Sequence, residues 1–529
     1  MTEWVRGLSA RTGGTAATLG GKASGLVALH RLGLPVPPGF VVTTRACRAF
    51  LRDGRLPAGL DEELAAAVAD LERATGRTFG GPHRPLAVSV RSGAEASMPG
   101  MMRTVLNLGL TTGATEGLAA ETGDRAFALD ARRGFLASFT EAEAEARAGA
   151  ARAGEATGAG AAAGAGAAGA VPDDAAQQLV RAVEAVFASW EAPRARTYRE
   201  LNGIPHDLGT AVVVQQMVFG NRDARSGSGV AFSRDPGTGE DAPYGDVLFG
   251  HQGEAVVSGR TATRPLRELA GREPGVWAGL LDALRRIEAH HRDACYVEFT
   301  YQSGELWLLQ ARPGRFAGAA AVRVATELAD QRLIGRDEAL LRVSPAHLRH
   351  VRTPRIAPVA AADVLVRGTG ACPGVATGRI ATTADGAVRM ARTGPVVLVR
   401  PETSPGDLPG LAAAAGIVTA RGGPASHAAV VARAMGKPAV VGATGLAVDG
   451  TSVTAGGRTL PEGTLVTVDG TGGEVVLGRP RTVTGAADAH LHRLLAWADD
   501  ASGDHSARDE AQRLAAAHAA LRGRRTEPR

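Results

Sequence analysis

Thr419-Ala-Arg-Gly-Gly-Pro-Ala-Ser-His427-Ala-Ala-Val-Val-Ala-Arg-Ala-Met-Gly-Lys-Pro-Ala-Val-Val-Gly442 reads as a strand, a turn, a helix and a second strand. Gly422, Gly423 and Pro424 break the strand that runs through Ile417 to Ala420, and Ser426 can cap the helix that follows. Residues 428 to 435 are apolar except for Arg433, and Gly436 and Pro438 end the helix. The turn therefore delivers His427 to the first helical turn. Backbone N–H groups and the positive end of the helix dipole disfavour an imidazolium there. They also favour an anionic phosphoryl group, so the segment points to a neutral histidine nucleophile that becomes a phosphohistidine.

Working outward, residues 370 to 478 alternate strands (396–399, 417–419, 439–441, 465–468, 474–477) with helical pieces, a compact α/β unit presenting His427. The part before it is larger and mixed. Helical periodicity around 60–74, 176–190 and 276–291, with strands around 86–90, 210–218, 294–300 and 305–310, fits an α+β nucleotide-binding domain over residues 1–343. Within it, residues 148–172 turn to Ala and Gly repeats that cannot bury a core and read as a flexible insertion. Pro345, Pro354 and Pro358 mark 344–369 as an interdomain linker, and 479–529 reads as a polar helical tail.

The chain of 529 residues is long enough for two to four domains. No run of eighteen apolar residues occurs, and the start MTEWVRGLSARTGG lacks a signal-peptide pattern, so the expectation is a soluble, cytoplasmic protein without a membrane partner. Cys47, Cys295 and Cys372 have no CxxC spacing, which argues against a thiolate metal site or a disulfide framework. The net charge of +5 is spread along the chain and aromatic residues are scarce, so nucleic-acid binding is not indicated.

Several segments of the first domain carry charge suited to phosphate chemistry. In Leu19-Gly-Gly-Lys-Ala-Ser-Gly25 the glycines let the backbone and Lys22 approach a phosphate. Arg91 ends a strand and leads into a small-residue loop through Ser97-Met-Pro-Gly-Met-Met102, where an arginine can fork onto phosphate oxygens. Ser226 to Gly239 reads as a hairpin able to close over a nucleotide. Glu298 and Gln310 lie on two short strands joined by the turn 302–305, and their oxygens could share Mg²⁺ bound to nucleotide phosphates.

Taken in order, these segments resemble the pyruvate phosphate dikinase family of PEP-utilising enzymes from about Leu19 to Leu477. The resemblance rests on the His427 segment, LGLPVPPGFVVTT (32–44), SVRSGAEASMPGMM (89–102), VFASWEAPRARTYR (186–199), GTAVVVQQMVFG (209–220), SGSGVAFSRDPGTGE (226–240) and VLVRPETSPGDLPGL (397–411). It implies an ATP-grasp nucleotide-binding domain followed by a swivelling α/β phosphohistidine domain. It further implies that Lys22, Arg91 and Arg312 hold the ATP phosphates, that Glu298 and Gln310 bind Mg²⁺, and that His427 takes the β,γ-pyrophosphoryl group with release of AMP. The SMPGMM loop resembles the branch that uses inorganic phosphate, rather than water, as the γ-phosphoryl acceptor, which leaves phospho-His427 and pyrophosphate.

Departures from the family pattern matter as well. The family carries a further barrel for PEP and pyruvate, and the tail from Ala489 to Asp500 resembles the approach to it; the expectation is that this span performs the ATP half-reaction and hands the phosphoryl group to a separate acceptor. Pro424-Ala425-Ser426 stands where the family has Met-Thr-Ser, so the regulatory threonine is lost. Glu95 replaces a basic residue and Arg103 an aspartate, either as a compensating pair or as a weakening of ATP binding. The alternative function is a non-catalytic ATP-binding or sensing protein.

Overall fold

The computed structural model describes all residues except 1–3, 97, 99–100, 158–169, 259–260, 262, 315, 317, 349–350, 352–353, 358–362, 425, 485–488 and 527–529. Two compact units result, Met1–Arg222 with Leu306–Ala311, and Asp223–Glu305 with Arg312–Arg529. The division falls inside the stretch that the sequence reads as one nucleotide-binding domain.

The first unit is built on a five-stranded antiparallel sheet in the order Val5–Gly7, Gly39–Val42, Ala211–Gln216, Val88–Gly93, Thr104–Leu108. Alternation along the strands sends Val212, Val214, Val88, Val90, Phe40 and Val42 to one core. Phe135, Phe139, Val183 and Phe187 of the helices Arg125–Thr157 and Ala175–Ala188 fill its other side. Each such side chain contributes about 1.5–3 kcal/mol of burial. Asp174 starts the second of these helices by accepting a bond from the Gln177 amide at 2.8 Å. The first helix continues to Thr157, ten residues into the stretch read as a flexible insertion, because alanine sustains helix until glycine accumulates. Residues 158–169 of that stretch lie outside the described ones.

The second unit opens with antiparallel strands in the order Arg264–Pro265, Tyr244–Phe249, Gly227–Phe232, Cys295–Gln302. The Gly227–Phe232 strand pairs antiparallel with Tyr244–Phe249 as the hairpin the sequence expects, and it is a fully buried central strand. Two glycines make this possible. A Cβ on Gly227 would lie 2.3 Å from the Tyr301 hydroxyl, and one on Gly229 would lie 2.5 Å from Phe299 Cζ, so the rings of the neighbouring strand cross where side chains would stand. Arg234, directly after, is buried and engaged by Glu288, Glu327 and Gln331 at 2.6–2.9 Å. It anchors the turn to two helices.

An eight-stranded mixed sheet follows, in the order Val364–Arg367, Glu474–Leu477, Leu465–Asp469, Val375–Ala381, Val396–Arg400, Gly416–Thr419, Ala439–Val441, Thr369–Cys372. The run from Val375–Ala381 to Ala439–Val441 is parallel, and the outer pairings are antiparallel. Valines 397, 399, 418, 440, 466 and 468 form its core. The 344–369 segment contributes more structure than a linker: a helix at Pro345–Leu348, a strand at Pro354–Ile356 paired with Thr482–Thr484, and an edge strand at Val364–Arg367. The tail helices Ala489–Ser502 and Glu510–Thr526 bury Leu491, Leu494, Leu495, Trp497, Leu514 and Leu521 against the helices Gly318–Asp330 and Arg336–Arg342. Their apolar stripe at helical spacing explains why a polar-looking segment docks. Among the described residues no helix is long and apolar enough to cross a membrane.

Candidate functional site

His427 is the first residue of the helix His427–Met435, between the N-cap Ser426 and a left-handed Gly436 that ends the helix. Gly422, at φ 99°, makes the preceding turn, where a side chain would be strained. Ala425 lies outside the described residues.

Around the imidazole, Nδ1 lies 3.1 Å from Thr403 Oγ1, whereas Nε2 is buried and has no hydrogen-bond partner among the described residues. Thr403 stands just beyond the strand Val396–Arg400, and the parallel register of that strand with Gly416–Thr419 brings the two loops side by side. Burial pushes the imidazole down to about 4 from its ordinary 6.5, with the Asp407 carboxylate acting in the opposite direction. Asp407 is itself held by the Ser404 amide at 2.8 Å and by Arg400 at 3.4 Å. The histidine is thus neutral at pH 7, yet an anion stands near enough to favour a positive ring once one forms.

The approach to His427 is braced from below. Arg433, one and a half turns along the helix, donates to the carbonyls of Pro424 at 2.7 Å and Ala371 at 3.1 Å, and its guanidinium stacks 5.6 Å from the Phe232 ring. The one charged residue among the apolar positions 428 to 435 is therefore engaged with the loop that carries His427. At Gly423 a Cβ would come within 2.4 Å of Asp246 Oδ2, so the loop passes the carboxylate too closely for any side chain.

Two of the expected phosphate and metal residues belong to the second unit. Arg312 stacks 4.4 Å from the buried Tyr296 ring, and the Tyr296 hydroxyl lies 3.5 Å from Glu298 Oε1. Burial, reinforced by the Glu298 charge, raises the Tyr296 phenol and keeps it neutral. Glu298 and Arg312 are therefore joined through one aromatic ring, a carboxylate and a cation on a common apolar platform.

Lys22, Arg91 and Gln310 belong to the first unit. Gly20 interrupts the helix Ala16–Arg31 with φ 76° and ψ 157°, and a Cβ there would fall 1.5 Å from the Gly93 carbonyl oxygen. Gly21 N then donates to Ala94 O at 3.0 Å, which seats Lys22 against the end of the Val88–Gly93 strand. Gly25 approaches the Ala311 carbonyl within 2.8 Å of its would-be Cβ, and Arg91 Nη1 donates to Leu309 O at 3.2 Å. Lys22, Arg91 and the strand bearing Gln310 are thus gathered by close backbone approaches that only glycine permits. Ser97, Pro99 and Gly100 of the small-residue loop lie outside the described residues.

Arg103 does not pair with Glu95. It is held by Glu145 at 2.5 Å and Glu141 at 2.9 Å, and Arg194 shares Glu145 at 2.7 Å. Glu95 is exposed. The Arg103 charge is thereby balanced by two carboxylates on the long helix rather than across the loop. Among the described residues no group of three or more His, Cys, Asp or Glu side chains could hold a metal ion.

His427, Lys22, Arg91, Glu298, Gln310 and Arg312 are singled out by the sequence, which assigns no role to Thr403, Asp407 or Arg433. Thr403 and Asp407 lie in the quoted run 397–411, and Arg433 was the single charge in an apolar helix; those were the available signals.

A helix-start histidine on a mixed α/β sheet, in one chain with a unit where glycines seat Lys22 beside a second sheet, defines a class of multidomain proteins of mixed α and β structure. Comparison with known proteins sharpens this. Residues 16–73 and 52–266 match the family described as "Pyruvate phosphate dikinase, AMP/ATP-binding domain", and residues 393–473 match "PEP-utilising enzyme, mobile domain". The chain is 40% identical to pyruvate, phosphate dikinase of Rhizobium meliloti (strain 1021) over 98% of its own length and 63% of that protein. It is 38% identical to pyruvate, phosphate dikinase of Clostridium symbiosum over 94% of its length and 60% of that protein. With pyruvate, phosphate dikinase 2 of Zea mays the identity is 41% over 91% of the chain and 58% of that protein. The chain belongs to the pyruvate phosphate dikinase family and spans about 60% of the length of these curated relatives.

Proposed function

We propose that this chain is an ATP- and phosphate-dependent phosphotransferase that forms phospho-His427, with an ATP-grasp nucleotide-binding part and a swivelling phosphohistidine part. The observation that carries the proposal is the asymmetry of the imidazole: Nδ1 is engaged by Thr403 and Nε2 is buried without a partner among the described residues. In this reading the ring proton sits on Nδ1 and is donated to Thr403 Oγ1, leaving the Nε2 lone pair as the nucleophile.

Nε2 attacks the β-phosphorus of ATP, the bond from that phosphorus to the α,β-bridging oxygen breaks, and AMP leaves with the bond's electron pair. An oxygen of inorganic phosphate then attacks the γ-phosphorus; the β,γ-bridging bond breaks, pyrophosphate departs and phospho-His427 remains. Lys22, Arg91 and Arg312 hold the phosphate oxygens in line and neutralise their charge, which is most of what phosphoryl transfer requires of a protein. Glu298 and Gln310 would hold Mg²⁺, whose contribution is neutralisation of the polyphosphate. Asp407 offsets the positive charge that the ring gains on phosphorylation. The acceptor of the phosphoryl group is a separate molecule, and it is pyruvate where a PEP/pyruvate barrel is supplied.

The test is a nucleotide titration alongside label transfer. Tight ATP binding with AMP release and acid-labile label on the protein supports the proposal; tight binding with neither product supports the non-catalytic ATP-binding alternative.

A further inference from the structure

Ser426 Oγ and His427 Nε2 are adjacent in sequence, and both are buried polar atoms without a partner among the described residues. Ser426 is only 4% exposed and sits at the N-cap with φ −61° and ψ 159°. A serine in that position ordinarily accepts a bond from an amide of the first turn, but here the side chain makes no cap bond. The first helical hydrogen bond runs from Val430 N to Ser426 O at 3.0 Å, so the amides of His427, Ala428 and Ala429 precede it at the open end of the helix. A buried, unsatisfied hydroxyl is costly where alanine would serve the fold equally well.

We infer that Ser426 is a phosphoryl-binding residue: its hydroxyl donates to a non-bridging oxygen of the phosphoryl group on His427 Nε2, beside the first-turn amides. The inference rests on the phosphohistidine reading above. No bond to Ser426 forms or breaks; the hydroxyl supplies one charge-assisted hydrogen bond that exists only when the phosphoryl group is arriving or in place. The backbone carbonyl of Pro424 in the same turn is already taken by Arg433, and that of Gly423 by the Ser426 amide.

The experiment uses the full chain as wild type, Ser426→Ala and Ser426→Thr, with Mg²⁺, ATP labelled at the β-phosphorus and inorganic phosphate. It reads the rate of label transfer to His427, the half-life of the isolated phosphoprotein, ATP affinity and the thermal midpoint. Ser426→Ala is expected to transfer label about tenfold more slowly and to lose it faster, as loss of one hydrogen bond to a charged group predicts. ATP affinity and thermal midpoint should not fall, and Ser426→Thr should restore the rate. Wild-type rate and half-life in Ser426→Ala would overturn the inference while leaving phospho-His427 intact. A lowered midpoint with an unchanged rate would mark Ser426 as a structural cap and overturn it equally. Absence of label in the wild type would overturn the phosphohistidine reading itself.

Discussion

Lowering the pH from 7 to 5 should leave His427 almost entirely neutral. An imidazole at its ordinary 6.5 would be only roughly 3% neutral at pH 5, whereas one near 4 remains roughly 90% neutral, a difference of about thirtyfold in nucleophile. The cause is burial, opposed by Asp407, so the depression belongs to the folded protein and disappears on unfolding. The sign for stability follows: above 6.5 both states are neutral and the group is silent. Below 6.5 the unfolded chain binds a proton that the folded chain refuses, and stability falls until the folded histidine titrates near 4. The whole loss is about 3 kcal/mol. The assay is an NMR titration of histidine-labelled protein, with His427 identified by the signal missing from His427→Asn. A midpoint near 4 is expected, and a midpoint between 6 and 7 would refute the reasoning about burial. The stability difference between wild type and His427→Asn should shift in favour of the variant as pH falls from 6.5 to 4.

Further expectations concern single contacts. Thr403→Val removes the group that fixes Nδ1 and should slow label transfer about three- to tenfold, with Thr403→Ser restoring it, because one neutral hydrogen bond is worth about 0.5–1.5 kcal/mol. Gly20→Ala places a Cβ on the Gly93 carbonyl at a positive φ, so chemical denaturation should show the first unit destabilised by more than about 2 kcal/mol. Arg103→Asp sets a carboxylate against Glu141 and Glu145 and should lower the thermal midpoint, whereas Glu95→Lys, at an exposed position, should leave the midpoint unchanged.

The β-α-β segment around His427 was legible because glycine, proline and an apolar run punctuate it sharply, and strands such as Ile417–Thr419 and Ala439–Val441 appear where the pattern put them. The hairpin that begins with the Gly227–Phe232 strand was legible, but the burial of that strand was not. Its Ser-Gly-Ser-Gly composition looks like a loop, and only the tertiary crossing of Phe299 and Tyr301 shows that the glycines make room for rings in a buried sheet. The Glu95–Arg103 pairing failed similarly, because the true partners, Glu141 and Glu145, are about forty residues away and reach Arg103 only through the packing of the long helix. At the site, the histidine could be read from its turn, but Thr403 and Asp407 come from the segment that follows the neighbouring parallel strand. A sequence does not display which loops a sheet register brings together.

The central claim is that His427 Nε2 carries the phosphoryl group. Its most direct test is to incubate the full chain and His427→Ala with Mg²⁺, phosphate and ATP labelled at the β-phosphorus, and to score acid-labile label, AMP and pyrophosphate. The wild type is expected to give label with both products, and His427→Ala no label despite unchanged ATP binding. Equal labelling of the two proteins would contradict it.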